Sequence, residues 1–308
     1  MKLVTHDGNF HYDEILATAV LLKIYPDAEV IRTRVREVIN TGDIVYDVGQ
    51  TYDPSKYRYD HHQNTFHDTY SPQYNIRLSS AGLIFKHFHD KLFERYGFTR
   101  QSTIFEEIVE KVYFEFFLPA DAIDNGYDSV FGAIRARTVA DVVKNFNVYS
   151  ENTMTRDENL RFETALDFVS MDLDNYLKYV LCEYALSYEH FYNVLKDFAG
   201  DIFVTDKKVA TDLLYELNEK LQKNIKFIIV KNDNDFRIIT IPVERGKFAI
   251  KYPLHPKWRG LSGTNLDEVS GINGCVFVHA SGFTGGNSTL EGAVEMCRKS
   301  LEWFERCL

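Results

Sequence analysis

Cysteine is scarce in this sequence, and its few copies form no metal-binding pair. The 308 residues contain four cysteines with no Cys-x-x-Cys spacing. We therefore expect free thiols in a reducing compartment and no structural zinc. The sequence also lacks an apolar run long enough to cross a bilayer, which argues against a helical membrane protein and predicts no membrane partner.

An excess of basic residues is lacking as well. Lysine and arginine total 35 against 45 aspartates and glutamates, which gives a formal net charge of −10. This balance disfavours a general nucleic-acid-binding surface, so a polyanionic substrate would need a local basic or metal-lined cleft. No targeting peptide is visible before the first strand pattern, and we expect a soluble protein of the cytoplasm or nucleus.

Strand and helix patterns alternate in the first part of the chain. Apolar runs predict strands over residues 2–6, 29–33 and 43–48, and a helix over 13–25 that is apolar nearly all round. This alternation predicts a mainly parallel sheet flanked by helices. Further helices are expected over 79–92 and 104–116, with Pro119 ending the second.

The second part of the chain follows a different pattern. A long helical stretch over residues 156–198 is expected to link two domains. Beyond it the period changes to two, and we predict strands over 227–230, 236–241, 248–250 and 275–278, then a helix over 288–307. The predicted fold is therefore α/β, with a first domain over residues 1–190 and a smaller α+β domain over 200–308.

Acids and histidines gather where the predicted strands end. His6 ends the first strand, Asp47 ends the third, and His11 and Asp13 lie at the start of the first helix. Imidazoles and carboxylates gathered in this way suit two hard divalent metals. Taken alone, the first cluster is better explained by a helix-capping Asp13 and a hydrogen-bonded core His6.

A third cluster is Asp60-His61-His62. A metal-bound imidazole usually donates its other N–H group to a carboxylate. Because neighbouring residues rarely bind one metal from the same face of a strand, we expect one histidine to be a ligand and the other to contact substrate. Asp60 would be a ligand or the support of a ligand. The alternative is an exposed polar loop.

Aspartates complete the predicted centre. Asp47 could bridge two metal ions with its two oxygens, although an aspartate before Val48-Gly49 is also common in turns. Asp121 and Asp124 lie in a polar segment, and either could supply the last carboxylate. As isolated features, both are ordinary loop residues.

A glycine-rich turn near the C-terminus contains Gly282, Gly285 and Gly286. Such a turn lets backbone N–H groups approach an anion closely, although it could simply connect a strand to a helix. Arg259 is a candidate phosphate partner through bidentate geometry. The alternative is a surface arginine packed on Trp258.

The order of these motifs resembles the DHH phosphoesterase superfamily, and their wording resembles one branch of it, the melanocyte-proliferating-gene-1 family of DHH-like nucleases. The resemblance runs from end to end of the chain. The matching segments are THDGNFHYDE at 5–14, DVG at 47–49, YDHHQ at 59–63, LSSAGL at 78–83, DAIDNG at 121–126, WRGL at 258–261 and HASGFTGG at 279–286. In the wider superfamily the first motif reads His-x-x-x-Asp-x-Asp, whereas here the first gap is one residue longer and His11 stands where an aspartate is usual.

The resemblance implies a DHH-type domain with a di-manganese or di-magnesium centre. By the superfamily pattern one ion would take His6, His11 and Asp47, and the other would take Asp13, Asp47, His61 and Asp124. His62 would face the scissile phosphate, which makes Asp47 and His62 the catalytic candidates. The C-terminal domain would carry a substrate-binding loop that includes His279.

The resemblance further implies 3′-to-5′ exonucleolytic cleavage of RNA or short single-stranded oligonucleotides by a metal-activated water. It adds the mitochondrion to the expected compartments. Two alternatives stay open, namely hydrolysis of a small phosphoanhydride such as pyrophosphate, and metal or RNA binding without catalysis.

Overall fold

The structure is a computed structural model that describes residues 1–131, 133–147, 157–244 and 249–307. The chain forms two compact units, residues 1–186 and 187–308, and each is described by itself. Within the described residues, no helix is both long and apolar enough to cross a membrane.

A five-stranded sheet forms the centre of the first unit. Its strands, in the order β2-β1-β3-β5-β4, are β1 (Lys2–Thr5), β2 (Glu29–Arg32), β3 (Ile44–Tyr46), β4 (Tyr52–Asp53) and β5 (Arg58–Tyr59). Every neighbouring pair is parallel except β4 and β5. The predicted mainly parallel sheet is thus confirmed, and the carboxyl ends of β1, β3 and β5 meet at one edge.

Helices surround this sheet. They are α1 (Tyr12–Ile24), α2 (Arg36–Ile39), α3 (Ser80–Glu94), α4 (Phe105–Val112), α5 (Leu118–Asp124), α6 (Val139–Lys144) and α7 (Glu158–Lys178). A short hairpin of β6 (Val130–Phe131) and β7 (Ile134–Arg135) precedes α6. Helix α1 packs against both α3 and α7. Its residues are apolar nearly all round because most of its surface is buried in this way.

The predicted helix end at Pro119 is wrong. After α4, residues Tyr113–Phe117 form a π-helical turn, and α5 begins with Pro119 in its first turn. A proline is compatible with that position because the first N–H groups of a helix have no intrahelical acceptor. Asp121 and Asp124 therefore lie on a helix and not in the polar loop that the sequence predicts.

The second unit contains another five-stranded sheet, with order β11-β12-β10-β9-β8. Its elements are β8 (Ile202–Thr205), α9 (Thr211–Lys220), β9 (Phe227–Lys231), β10 (Phe236–Thr240), α10 (Gly263–Ser270), β11 (Cys275–Val278), β12 (Thr284–Asn287) and α11 (Leu290–Cys307). Helix α8 (Ala185–Leu195) runs across the division between the units. Of the strand predicted over 248–250, residue 248 lies outside the described residues, and Ile250 forms an isolated bridge with Pro242.

The glycine-rich segment is a hairpin loop followed by a strand, and not one continuous turn. Residues 279–283 connect β11 to β12, and Gly282 has a φ of +77° within this loop. Gly285 and Gly286 lie in β12, which pairs with β10 on one side and β11 on the other. A Cβ atom on Gly285 would lie 2.6 Å from Leu254 Cδ1, so close packing explains this glycine.

Candidate metal centre

The candidate ligands meet at one edge of the first sheet. His6 directly follows β1, Asp47 directly follows β3, and His61 lies two residues after β5. Because these neighbouring strands are parallel, the side chains after them are brought together. Helix α1 begins at the same place and has Asp13 and Glu14 in its first turn.

Asp47 contacts two of the buried histidines. Its oxygens lie 3.2 Å from His6 Nε2 and 3.0 Å from His61 Nε2. Its backbone has a left-handed φ of 57°, which aspartate tolerates better than most residues. Burial favours protonation of Asp47, but the hydrogen bonds from His6 and His61 outweigh it and hold its pKa well below the ordinary value. Asp47 is therefore an ionised group between two imidazoles.

His6 is oriented by two groups at its Nδ1 atom. This atom lies 2.9 Å from the carbonyl oxygen of Asp7 and 3.1 Å from Nη2 of Arg34. The Nε2 atom then faces Glu14 Oε1 at 2.9 Å, as well as Asp47. Burial opposes a charge on His6, but the hydrogen bonds to Asp47 and Glu14 raise its pKa to about 11. A metal ion at this Nε2 would have to displace a proton.

Glu14 is a further candidate ligand, which the sequence analysis did not assign. It is fully buried, and its Oε2 accepts the backbone N–H of His11 at 2.7 Å. Burial raises the pKa of Glu14 to about 8, although the hydrogen bond from His6 opposes this shift. A signal was present, since His11-x-x-Glu14 has the spacing of a capping box and Glu14 lies on a helix that is apolar nearly all round.

A second part of the cluster consists of His61, Asp13 and Asp124. His61 Nε2 lies 3.7 Å from Asp13 Oδ2, and its Nδ1 lies 3.6 Å from Asp124 Oδ2. The Nδ1 atom is buried and has no hydrogen-bond partner among the described residues, which ordinarily costs about 1–3 kcal/mol. Burial and the charge of Asp13 raise the pKa of Asp124 to about 8. The unpartnered Nδ1 atom, which faces the carboxylate of Asp124, suits a cation.

The two aspartates of α5 have different partners. Asp121 accepts hydrogen bonds from the backbone N–H and the hydroxyl of Ser79 at 2.9 and 2.6 Å, and from the hydroxyl of Tyr113 at 2.9 Å. Asp121 therefore holds the start of α3 against α5. Asp124 is the aspartate of this pair that lies beside His61.

Asp60 orients His62. One Asp60 oxygen lies 2.7 Å from His62 Nδ1 and accepts its backbone N–H, while the other accepts the backbone N–H of Gln50 at 2.6 Å. Asp60 is buried, whereas the His62 side chain is 55% exposed. The hydrogen bond to Asp60 raises the pKa of His62. With Nδ1 held by Asp60, the opposite side of the imidazole is available to a substrate.

His11 lies at the rim of the cluster. Its side chain is 67% exposed, and its ring centroid lies 5.9 Å from that of His6. It precedes α1 as the N-cap residue. His11 can therefore contribute an imidazole from the solvent side of the cluster.

The donor set fits divalent metal ions. Ligand atoms lie within 4.8 Å of one another in four groups, which are His6, His11 and Glu14; Asp13, Glu14 and Asp47; Asp13, His61 and Asp124; and Asp47, His61 and His62. Carboxylate oxygens suit Mg²⁺ and Mn²⁺, and imidazoles suit the transition metals. Buried carboxylates at this spacing repel one another unless protons or cations neutralise them.

The candidate substrate residues of the second unit lie around its hairpin loop. His279 is exposed, and its Nδ1 lies 2.9 Å from the hydroxyl of Ser281. Arg259 donates from Nε to the carbonyl oxygen of Leu254 at 3.1 Å, and a Cβ atom on Gly282 would lie 2.8 Å from that Nε. Arg259 therefore packs against the loop at Gly282, and the predicted substrate contacts stay predictions.

Comparison with known proteins gives a match over most of the chain. Residues 2–301 match a family model described as MYG1_exonuc, Uncharacterised protein family (UPF0160). The chain is 38% identical over 322 residues to the MYG1 exonuclease of Homo sapiens, covering 97% of this chain and 85% of that protein. It is 34% identical over 324 residues to a MYG1 protein of Schizosaccharomyces pombe, covering 98% of each.

A comparison with solved structures gives a weaker likeness. The crystal structure of RecJ in complex with Mn²⁺ from Thermus thermophilus is 12% identical, with coverage of 98% of this chain and 52% of that chain. The TM-score of this comparison is 0.27.

Proposed function

Because this chain belongs to the MYG1 family, we propose that it is a metal-dependent nuclease, and more narrowly a 3′-to-5′ exonuclease of RNA or short single-stranded oligonucleotides. The observation that carries the proposal is the buried cluster of imidazoles and carboxylates at the sheet edge. Mammalian relatives that bear the name MYG1 exonuclease support the same reaction class. The 3′-to-5′ direction and the RNA preference rest on the family resemblance.

The proposed ligands form two groups, and Asp47 contacts a histidine of each group. One group comprises His6, His11 and Glu14, and the other comprises Asp13, His61 and Asp124. Two divalent ions, Mn²⁺ or Mg²⁺, would supply an activated water and polarise the phosphoryl oxygens. Asp47, which contacts both His6 and His61, would hold the two groups together.

His62 has the proposed role of contacting the scissile phosphate. Asp60 fixes its Nδ1, so that the exposed side of the ring can donate a hydrogen bond to a phosphoryl oxygen. The same hydrogen bond favours the protonated imidazole, which is the form that donates to an anion. His62 would therefore bind and orient the substrate without being needed to hold metal.

The two adjacent histidines allow a direct test. We expect His61→Ala to lower the metal content of the protein, because His61 contacts three carboxylates of the cluster. His62→Ala should retain the metal and lose turnover of a fluorescent single-stranded RNA. Metal analysis and turnover are measured on each variant, with exposed His67→Ala as the control.

The reverse pattern, with metal lost from His62→Ala and kept in His61→Ala, would show that the two roles are exchanged. Full turnover in both variants would refute the proposed site.

A further inference from the structure

A cavity of about 520 Å³ adjoins the candidate metal centre within the first unit. This volume lies in the range of pockets that bind small organic ligands. His11, Asp13 and Asp124 are part of the cavity wall. A molecule bound there would therefore lie directly beside candidate metal ligands.

An exposed aromatic ring lines the same cavity. Tyr127 lies three residues after Asp124, just beyond the end of α5, and is 53% exposed. Its ring stacks on no other ring or cation in the part of the chain that the structure describes. Packing therefore does not account for an aromatic side chain at this place, whereas a planar ligand would cover it.

A lysine without an ionic partner also lines the cavity. Lys144 is the exposed last residue of α6, and it forms no ion pair with the described residues. The nearby Arg135 is already paired with Asp141 at 2.7 Å. Lys144 therefore offers the cavity a positive charge that Asp141 does not neutralise. In a chain with a net charge of −10, such a local charge can attract an anion.

The segment that follows Lys144 is hydrogen-bonded to the residue that precedes His11. The buried amide of Asn147 accepts the backbone N–H of Phe10 at 3.0 Å and donates to the carbonyl oxygen of Phe10 at 2.8 Å. Phe10 immediately precedes His11. This pair of bonds fixes the backbone three residues after Lys144 relative to the segment that carries His11.

We infer that this cavity binds one nucleotide of the substrate, with its base stacked on Tyr127 and a phosphate paired with Lys144. The inference rests on the proposed function and assigns the substrate contacts in the first unit. Stacking on an aromatic ring tolerates every base, because each base has a π face. A site of this kind suits an enzyme that processes a strand regardless of its sequence.

Calorimetric titration with two probes, adenosine 5′-monophosphate and inorganic pyrophosphate, in the presence of Mn²⁺ tests this inference. We expect Tyr127→Ala to weaken the affinity for the nucleotide at least about tenfold while leaving that for pyrophosphate unchanged. Lys144→Ala should weaken both. Tyr127→Phe, which keeps the ring, and Tyr57→Ala, at another exposed tyrosine, should match the wild type.

Turnover of a single-stranded oligonucleotide and the thermal midpoint are measured on the same preparations, with Tyr127→Leu as a second variant. The inference is overturned if the wild type does not bind the nucleotide. It is also overturned if Tyr127→Ala binds the nucleotide with wild-type affinity. If the oligonucleotide is hydrolysed in either case, the proposed function still stands. If the nucleotide affinity falls as expected but no oligonucleotide is hydrolysed, the cavity assignment stands and the proposed function fails.

Discussion

Asp47→Asn is expected to lose bound metal and to lower turnover at least about a thousandfold, since a metal centre contributes several kcal/mol to transition-state stabilisation. Asparagine keeps the shape of the side chain and tolerates the left-handed backbone of this position. It removes a charge that, among the described residues, alone contacts both His6 and His61. The measurements are metal content, turnover of a labelled oligonucleotide and the thermal midpoint.

A matched control lies at the opposite end of the same strand, β3. Asp43 lies just before β3, is exposed, and accepts the backbone N–H of Lys2 at 2.7 Å. Asp43→Asn should keep both metal and turnover. An Asp47→Asn protein that retains two metal ions and near-normal turnover would refute the assignment of Asp47.

Glu14→Gln is expected to lower turnover more than about 100-fold, which exceeds the 10- to 100-fold loss typical of groups that only support a ligand. Glutamine fills the same buried volume and can still accept the backbone N–H of His11. It cannot provide a carboxylate beside His6. We expect the metal content to fall with the activity, as measured by elemental analysis of the purified variant.

The alternative role of Glu14 is that it only caps α1 and balances the charge of His6. In that case Glu14→Gln would keep its metal content and most of its turnover. Glu37→Gln on the exposed face of α2 is the control, and it should behave as the wild type in every measurement.

Two residues at the sheet edge could be predicted from sequence because each one directly follows a strand that is recognisable by itself. His6 and Asp47 each follow a short apolar strand, and side chains at the carboxyl ends of parallel neighbours meet whatever the rest of the fold does. The strand before Asp60 is only two residues long, Arg58–Tyr59. So short a strand shows no periodicity, and the motif there was predicted from its adjacent ionisable residues and from the family resemblance.

Tertiary contacts determine the features of the site that could not be predicted from the sequence. Asp121 and Asp124 have similar neighbours in sequence, and their tertiary contacts distinguish them: Ser79 and Tyr113 donate to Asp121, whereas Asp124 lies beside His61. The continuation of the helix through Pro119 depends on a π-helical turn that no residue pattern signals. A lone tyrosine and a lone lysine between weakly patterned elements gave no reason to expect a cavity.

The glycine pattern shows a different limit. A run of glycines near a strand end fits both an anion-binding loop and a strand that must approach its neighbours closely. In the structure Gly285 and Gly286 belong to β12, where pairing on both sides explains them. Gly282, with its positive φ, is the glycine that the loop requires.

The central claim is that the buried cluster binds divalent ions that are required to cleave a phosphodiester strand. Its most direct test is a titration of metal-stripped protein with Mn²⁺, in which hydrolysis of a 5′-fluorescent single-stranded RNA is followed. We predict no cleavage before metal is added, restored cleavage that saturates at about two ions per chain, and progressive shortening of the labelled strand from its 3′ end. Cleavage without metal, or no cleavage of any single-stranded substrate once the cluster is saturated, would contradict the account.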